Sequence, residues 1–359
     1  EEVYQKLAEG SSDPAFREAL AQLRYTMAEG RLKAGRNKEA AIKFNQSFAA
    51  FPGFKTGEAA LIKLGHIYLQ DKETDNLEET VRRLVKEYPG SDGAMRLLVE
   101  AGRAVEKEVP LKAAGLYEYA SSITANGEDS LRLIFAAAIL YHENGSYAQA
   151  EGLLKRYMRN KWLAPGDEAE ALYRLGDIQF KTGRKEEGIK ALESLMGLKG
   201  KIDGMIMAKT KLLLAGERQK VYLETKLAQP FEKTLKKKTK LLNNLLEDYS
   251  DVARYGVPDI LPEVYFQIGG VLENFRDSLL EAERPGNLTD EEMKEYTFLL
   301  EERAYPYEEQ AVNAYEKSLA AGREQMAGNE WMEKSLERLV FLRPALYKKK
   351  GAGEKEMRE

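Results

Sequence analysis

Apolar side chains in the first two hundred residues recur at intervals of three and four, interrupted by glycine or proline. In ALYRLGDIQFKTGRKEEGIKALESL, residues 171–195, Leu172, Leu175 and Gly176 share one helix face. Gly183 interrupts the pattern, and Gly188, Leu192 and Leu195 share one face of a second run. Such spacing predicts two amphipathic helices joined by a tight turn.

The same layout returns upstream. ALIKLGHIYLQDKETDNLEETVRRLVKEYPGS carries Leu61, Leu64, Gly65 and Tyr68, then Leu77, Val81, Leu84 and a closing Pro89. Ala28, Gly35, Ala40, Phe44 and Pro52 fill the matching positions of an earlier copy. Ala138, Tyr141, Gly145, Ala150 and Leu154 fill those of a later one, and Leu98, Gly102 and Ala114 those of a degenerate one. The small residue of the first helix is Ala28, Gly65, Gly102, Ala138 and Gly176, so successive copies lie 37, 37, 36 and 38 residues apart. A small residue at a fixed slot is required where two helices approach closely. Five copies in register predict an all-α solenoid of helix pairs.

These residues resemble the tetratricopeptide repeat family over roughly residues 20–200. The shared pattern is Leu-Gly in helix A, an aromatic three residues on, Ala then an aromatic in helix B, and a closing Pro. The period is slightly longer than the family's about 34 residues. Arg31, Val105 and Gln179 stand where helix A would carry its aromatic. The resemblance implies a right-handed superhelix whose A helices line a concave face. The EYPGS ending at 87–91 is similar to repeats of bacterial envelope proteins. With the absence of cysteine it points to a periplasmic or envelope location, the cytoplasm being the alternative.

Beyond about 205 the register gives way to longer helices. One is expected from 205 to a stop near Pro230, and another from there to Gly256. Tyr265, Ile268 and Gly269 restore a helix A signature. Its partner is expected only at YPYEEQAVNAYEKSLAAG, with Ala311 and Tyr315 in the small and aromatic slots. Between them lies an insertion that opens with a capping box, Thr289 and Glu292. A last helix carries Trp331, Leu336 and Leu339. The expected organisation is 1–200 repeats (about five helix pairs), 201–345 an irregular helical C-terminal module, and 346–359 a charged, disordered tail.

Composition narrows the chemistry. Net charge is -4, which supplies no basic field for nucleic acid. No run reaches the roughly 18 apolar residues of a membrane span. Zero cysteines remove thiolate metal sites and a thiol nucleophile. The two histidines, His66 and His142, fall in different repeats, so no metal or other cofactor is expected. No phosphate loop or nucleophile elbow occurs, and the carboxylates follow solvated helix faces, so an enzyme is not expected. The one tight basic cluster, KKKTK at 236–240, reads as a solvated helix face. The acidic run from Asp290 to Glu309 could meet it within the molecule or across a dimer.

The resemblance places the fifth and ninth positions of helix A in the concave groove. The fifth positions are Tyr25, Ile62, Val99, Phe135 and Tyr173. The ninth are Glu29, His66, Arg103, Ile139 and Asp177. Family members that clamp a terminal carboxylate use Lys and Asn at these positions. Neither stands here, so a helix or extended segment on an apolar floor is the expected ligand. The chain thus reads as a non-catalytic scaffold or adaptor binding a protein or peptide. Alternatives are a self-associating protein that pairs through C-terminal helices around Trp331 and Phe341, and an accessory domain of a longer protein.

Overall fold

The computed structural model describes residues 1–124, 126–160, 163–286, 288–323 and 330–348. Among these residues there are helices and connecting turns and no strand. The chain divides into two compact units between Leu163 and Ala164. That division falls upstream of the change of register expected at 200, so the fifth helix pair belongs to the second unit.

In the first unit a short helix, α1 (Glu2–Gly10), precedes four pairs. These are α2 (Pro14–Lys33) with α3 (Asn37–Ala50), α4 (Gly57–Gln70) with α5 (Thr74–Glu87), α6 (Asp92–Val105) with α7 (Pro110–Ile123), and α8 (Gly127–Glu143) with α9 (Tyr147–Tyr157). Sequence patterning did not signal α1. Glu1 anchors it, accepting from Arg24 Nε at 3.0 Å and Lys43 Nζ at 2.7 Å. Side chains cap several helices, with Asp13 accepting from the Ala15 N–H and Asn126 from the Glu128 N–H. In three of the four pairs the turn uses a left-handed residue. Gly35 and Gly145 supply it, and Lys72 adopts the same conformation with φ 58°.

The small slots do what their spacing predicts. Ala28 and Ala138 are fully buried. A Cβ built on Gly65 would lie 2.6 Å from a methyl of Leu97 on α6 and 3.4 Å from Leu77 on α5. Bulky side chains from two neighbouring helices therefore converge on Gly65, Tyr117 of α7 fills the space beside Gly102, and the core runs continuously from Ala21 to Ala120.

The second unit contains α10 (Pro165–Lys181) with α11 (Lys185–Met196), α12 (Gly204–Glu224) with α13 (Phe231–Ala253), α14 (Leu261–Leu280) with α15 (Asp290–Arg323), and α16 (Glu330–Leu342). Here too, alternate helices pack on one another, α10 on α12, α12 on α14 and α14 on α16. The expected insertion and the delayed helix are one helix. Thr289 and Glu292 form the capping box, and α15 then runs on through Pro306. Leu300 and Ala304 before the proline and Ala311 and Ala314 after it are all buried, which holds both halves in line across the missing hydrogen bond. Residues 344–348 are helical and Tyr347 is buried, its hydroxyl on Glu316. This corrects the start of the tail expected at 346; residues 349–359 lie outside the described residues.

Register here is fixed by a buried polar cluster. Glu273 accepts from the Tyr315 hydroxyl at 2.8 Å and from Arg338 Nε at 3.1 Å, joining α14, α15 and α16. Arg276 donates to Glu308 at 2.7 Å, and Ser318 to the Pro262 carbonyl at 2.7 Å. A Cβ on Gly269 would meet the Tyr315 ring at 2.6 Å. Because Tyr315 is held at both ring and hydroxyl, Gly269→Ala should destabilise the protein by about 1–3 kcal/mol. Gly216→Ala, inside α12 with nothing within 4 Å of the new methyl, should stabilise it by about 0.5–1 kcal/mol. Urea unfolding followed by circular dichroism measures both.

The basic cluster at 236–240 is not wholly solvated. Lys238 turns inward, donates to the Thr225 carbonyl at 2.8 Å and lies 4.5 Å from the Tyr222 ring, closing the C-terminus of α12. Burial lowers its pKa, so the unfolded chain binds that proton more tightly. Stability contributed by this residue therefore rises with pH from the lowered folded value to about 10.4, the unfolded value. Comparing wild type with Lys238→Met by urea titration across that range should show the difference shifting toward wild type as pH rises. A flat difference would show that the ammonium is not held in this buried position.

Candidate partner-binding face

In the first unit the residues carried over to the concave face sit at matching positions of α2, α4, α6 and α8. Tyr25 is buried and packs edge-on to Phe44 and Phe54, with ring centroids 5.7 and 6.3 Å away. Ile62 is half-buried and reaches the first turn of α6, where a Cβ on Gly93 would lie 2.7 Å from its Cγ1. Val99 is half-buried against the same core. Phe135 stacks on Tyr157 of α9 at 4.7 Å and 25°, leaving part of its ring open. Ile139 is half-buried, and His66 and Arg103 are exposed. The floor thus contains both core anchors, Tyr25 above all, and partly open apolar side chains.

Polar side chains link adjacent A helices across this face. Lys63 of α4 pairs with Glu29 of α2 and lies 5.6 Å from the Tyr25 ring. His66 Nδ1 of α4 lies 3.4 Å from Glu100 of α6. Lys63 and Glu100 stand one position beyond the slots carried over from the family. Only their alternating sign on consecutive helices could have signalled them. Arg103 is exposed and forms no ion pair among the described residues. Beside it the Tyr117 hydroxyl donates to Glu106 at 2.6 Å, and burial raises the pKa of that phenol.

Tyr173 and Asp177 lie on α10, in the second unit. Tyr173 is half-buried, and burial followed by the charge of Asp177 pushes its phenol up to about 12. Asp177 is buried and pairs with Lys181 one turn on at 2.8 Å. Asp177 is therefore braced within its own helix. The second unit also holds a groove of about 610 Å³, which sequence patterning did not reveal. Leu246 and Ser250 of α13 form one wall, Ile268 and Leu272 of α14 the floor, and Gln310 and Asn313 of α15 the other wall.

In the helix pair α10–α11, residues 170–197 match the sequence model of the tetratricopeptide repeat. This stretch is a tetratricopeptide repeat. The four pairs of the first unit share the spacing of this repeat and its small slots. Among solved structures, the C-terminal part of a TPR repeat-containing protein from Cytophaga hutchinsonii is 12% identical, with 86% of this chain and 99% of that chain covered and a TM-score of 0.41. PilW, a type IV pilus biogenesis factor, is 15% identical over 65% of this chain and 92% of that one, with a TM-score of 0.29. PilF of Pseudomonas aeruginosa is 15% identical over 55% and 84%, with a TM-score of 0.28. No curated protein sequence matches the chain.

The Lys63–Glu29 pair makes a direct test of the repeat face. The hydrogen bond from Lys63 lowers the pKa of Glu29. The pair's stabilisation is complete above the ordinary carboxylate value and is lost as pH falls through the lowered one. Lys63→Met should raise the Glu29 carboxyl back toward the ordinary carboxylate range, read by carbon-detected NMR titration. Both groups are partly exposed, so the accompanying loss at neutral pH should stay below about 1 kcal/mol.

Proposed function

We propose that the protein is a non-catalytic scaffold that holds an apolar segment of a protein partner on the A-helix face of its first unit. One observation carries this reading. Ile62, Val99, Phe135 and Ile139 are partly open at matching slots of α4, α6 and α8, while the Lys63–Glu29 pair and the His66–Glu100 contact link α2, α4 and α6. Tetratricopeptide repeats present such surfaces for protein partners, which supports the reading by analogy. Exposed Arg103 adds a cation suited to a carboxylate on the bound segment. Within the second unit, Tyr173 and Asp177 of α10 stand at the corresponding slots and are proposed as contact residues of that unit by itself. The EYPGS resemblance supports a bacterial envelope setting, with the cytoplasm as alternative.

Because Phe135 stacks on Tyr157, Arg103→Glu combined with Ile139→Asp is a gentler probe of this face than a change at Phe135. Cross-linked capture from the native host, read by mass spectrometry, should show the double variant retaining roughly a tenth or less of the partner that wild type holds. A Phe341→Ser control, at an exposed position of the second unit, should retain it fully. Equal recovery by all three baits would remove the A-helix face as the binding site.

A further inference from the structure

The α13 lysines and the first half of α15 form two uncommitted faces of opposite character. Lys233, Lys236, Lys237 and Lys240 are all exposed, and none forms an ion pair among the described residues. They share one side of α13, with Lys238 alone turned inward. On α15, Phe298, Leu299 and Tyr305 are 58%, 53% and 59% exposed. Glu291, Glu295 and Glu302 flank them, also exposed and without an ion pair among the described residues. Three large apolar side chains on one exposed helical stretch mark a contact surface.

We infer that these two faces bind each other between two copies of the chain. Within one copy no ion pair joins them among the described residues, although α13 and α15 both pack on α14 and flank the same groove. Their spacing matches, since Glu295 and Glu302 are seven residues apart, as are Lys233 and Lys240. On two helices that interval is about 10 Å along the axis, so both carboxylates meet both ammonium groups at once. Phe298 and Tyr305, also seven apart, then lie against the lysine stems and their charged ends. A two-fold axis sets the lysine face of each copy on the acidic, aromatic face of the other, which commits both faces with a single partner. An anionic membrane or nucleic acid would satisfy the lysines but meet the carboxylates of the same unit with repulsion. Trp331, by contrast, is half-buried and packs on Phe266 at 5.2 Å, so it is not part of this contact.

Sedimentation equilibrium on the full chain tests the pairing. Wild type should dimerise at low salt, and added salt should weaken the dimer. Lys233→Glu with Lys240→Glu, and separately Glu295→Lys with Glu302→Lys, should each raise the dimer Kd by about a hundredfold through like-charge contact. All four side chains are exposed, and circular dichroism confirms that the variants fold. An equimolar mixture of the two variants should restore dimers, because the swapped charges oppose at one contact and the native charges at the other. Monomeric wild type, dimers indifferent to either double change, or a mixture that stays monomeric would each overturn the inference. Binding of monomeric wild type to phosphatidylglycerol vesicles, lost with the lysine changes, would also overturn it and assign the face to a lipid surface.

Discussion

The close approach of helices at one small residue per pair is the constraint on which both units depend. At Gly65 a methyl of Leu97 fills the space a side chain would take, at Gly176 a methyl of Leu192 does so at 2.6 Å, and at Gly269 the Tyr315 ring does so. An isolated helix pair has too little apolar surface to offset the entropy of ordering it. Closeness at these slots lets Leu, Val and Tyr from neighbouring helices interleave, so one core passes from pair to pair. In the first unit this produces an almost continuous row of fully buried side chains, Leu77, Leu84, Leu97 and Leu98 among them.

The second unit keeps that geometry while its helices lengthen, and polar groups take over part of the work of setting register. A buried carboxylate is costly without partners. Glu273 has Tyr315, Arg338 and Arg276, one from each helix of the trio α14–α16. Exchange of one neighbour for another would leave a buried charge unpaired, so the arrangement disfavours slipped packings more than it adds net stability. The same logic applies to Lys238, whose ammonium replaces the missing donors at the end of α12. These positions also leave the surrounding α13 lysines free of internal duties.

In the proposed binding mode, the braced A-helix face lowers the cost of recognition. With Glu29, Lys63, His66 and Glu100 committed to neighbouring helices, the open apolar side chains between them need little ordering when a segment settles on them. Lower ordering cost translates into affinity without added contact area. The two proposals assign different surfaces: the A helices of the first unit to a partner segment, and the outer faces of α13 and α15 to a second copy.

The helix pairs, their turns and their small slots were readable in the sequence because they rest on local rules. Periodicity fixes a helix face, a glycine at positive φ fixes a turn, and a fixed spacing repeats both. The helices α12, α13, α14 and α16 were readable for the same reason. What escaped were features set by distant neighbours. Pro306 reads as a helix start, yet buried residues on both sides of it carry α15 straight through. Lys238 reads as one of four solvated lysines, yet the open end of α12 draws it in. Phe135 reads as groove floor, yet Tyr157 takes one face of its ring. Lys63 and Glu100 lie outside the family's slots and gain their roles only when α2, α4 and α6 stand side by side. Sequence alone determined the repeat, since helix faces and turns follow local rules and a small residue recurring at one spacing marks where helices meet. Which charges are paired, and which faces remain open, was decided by tertiary structure, because pairing depends on distances between helices far apart in the chain.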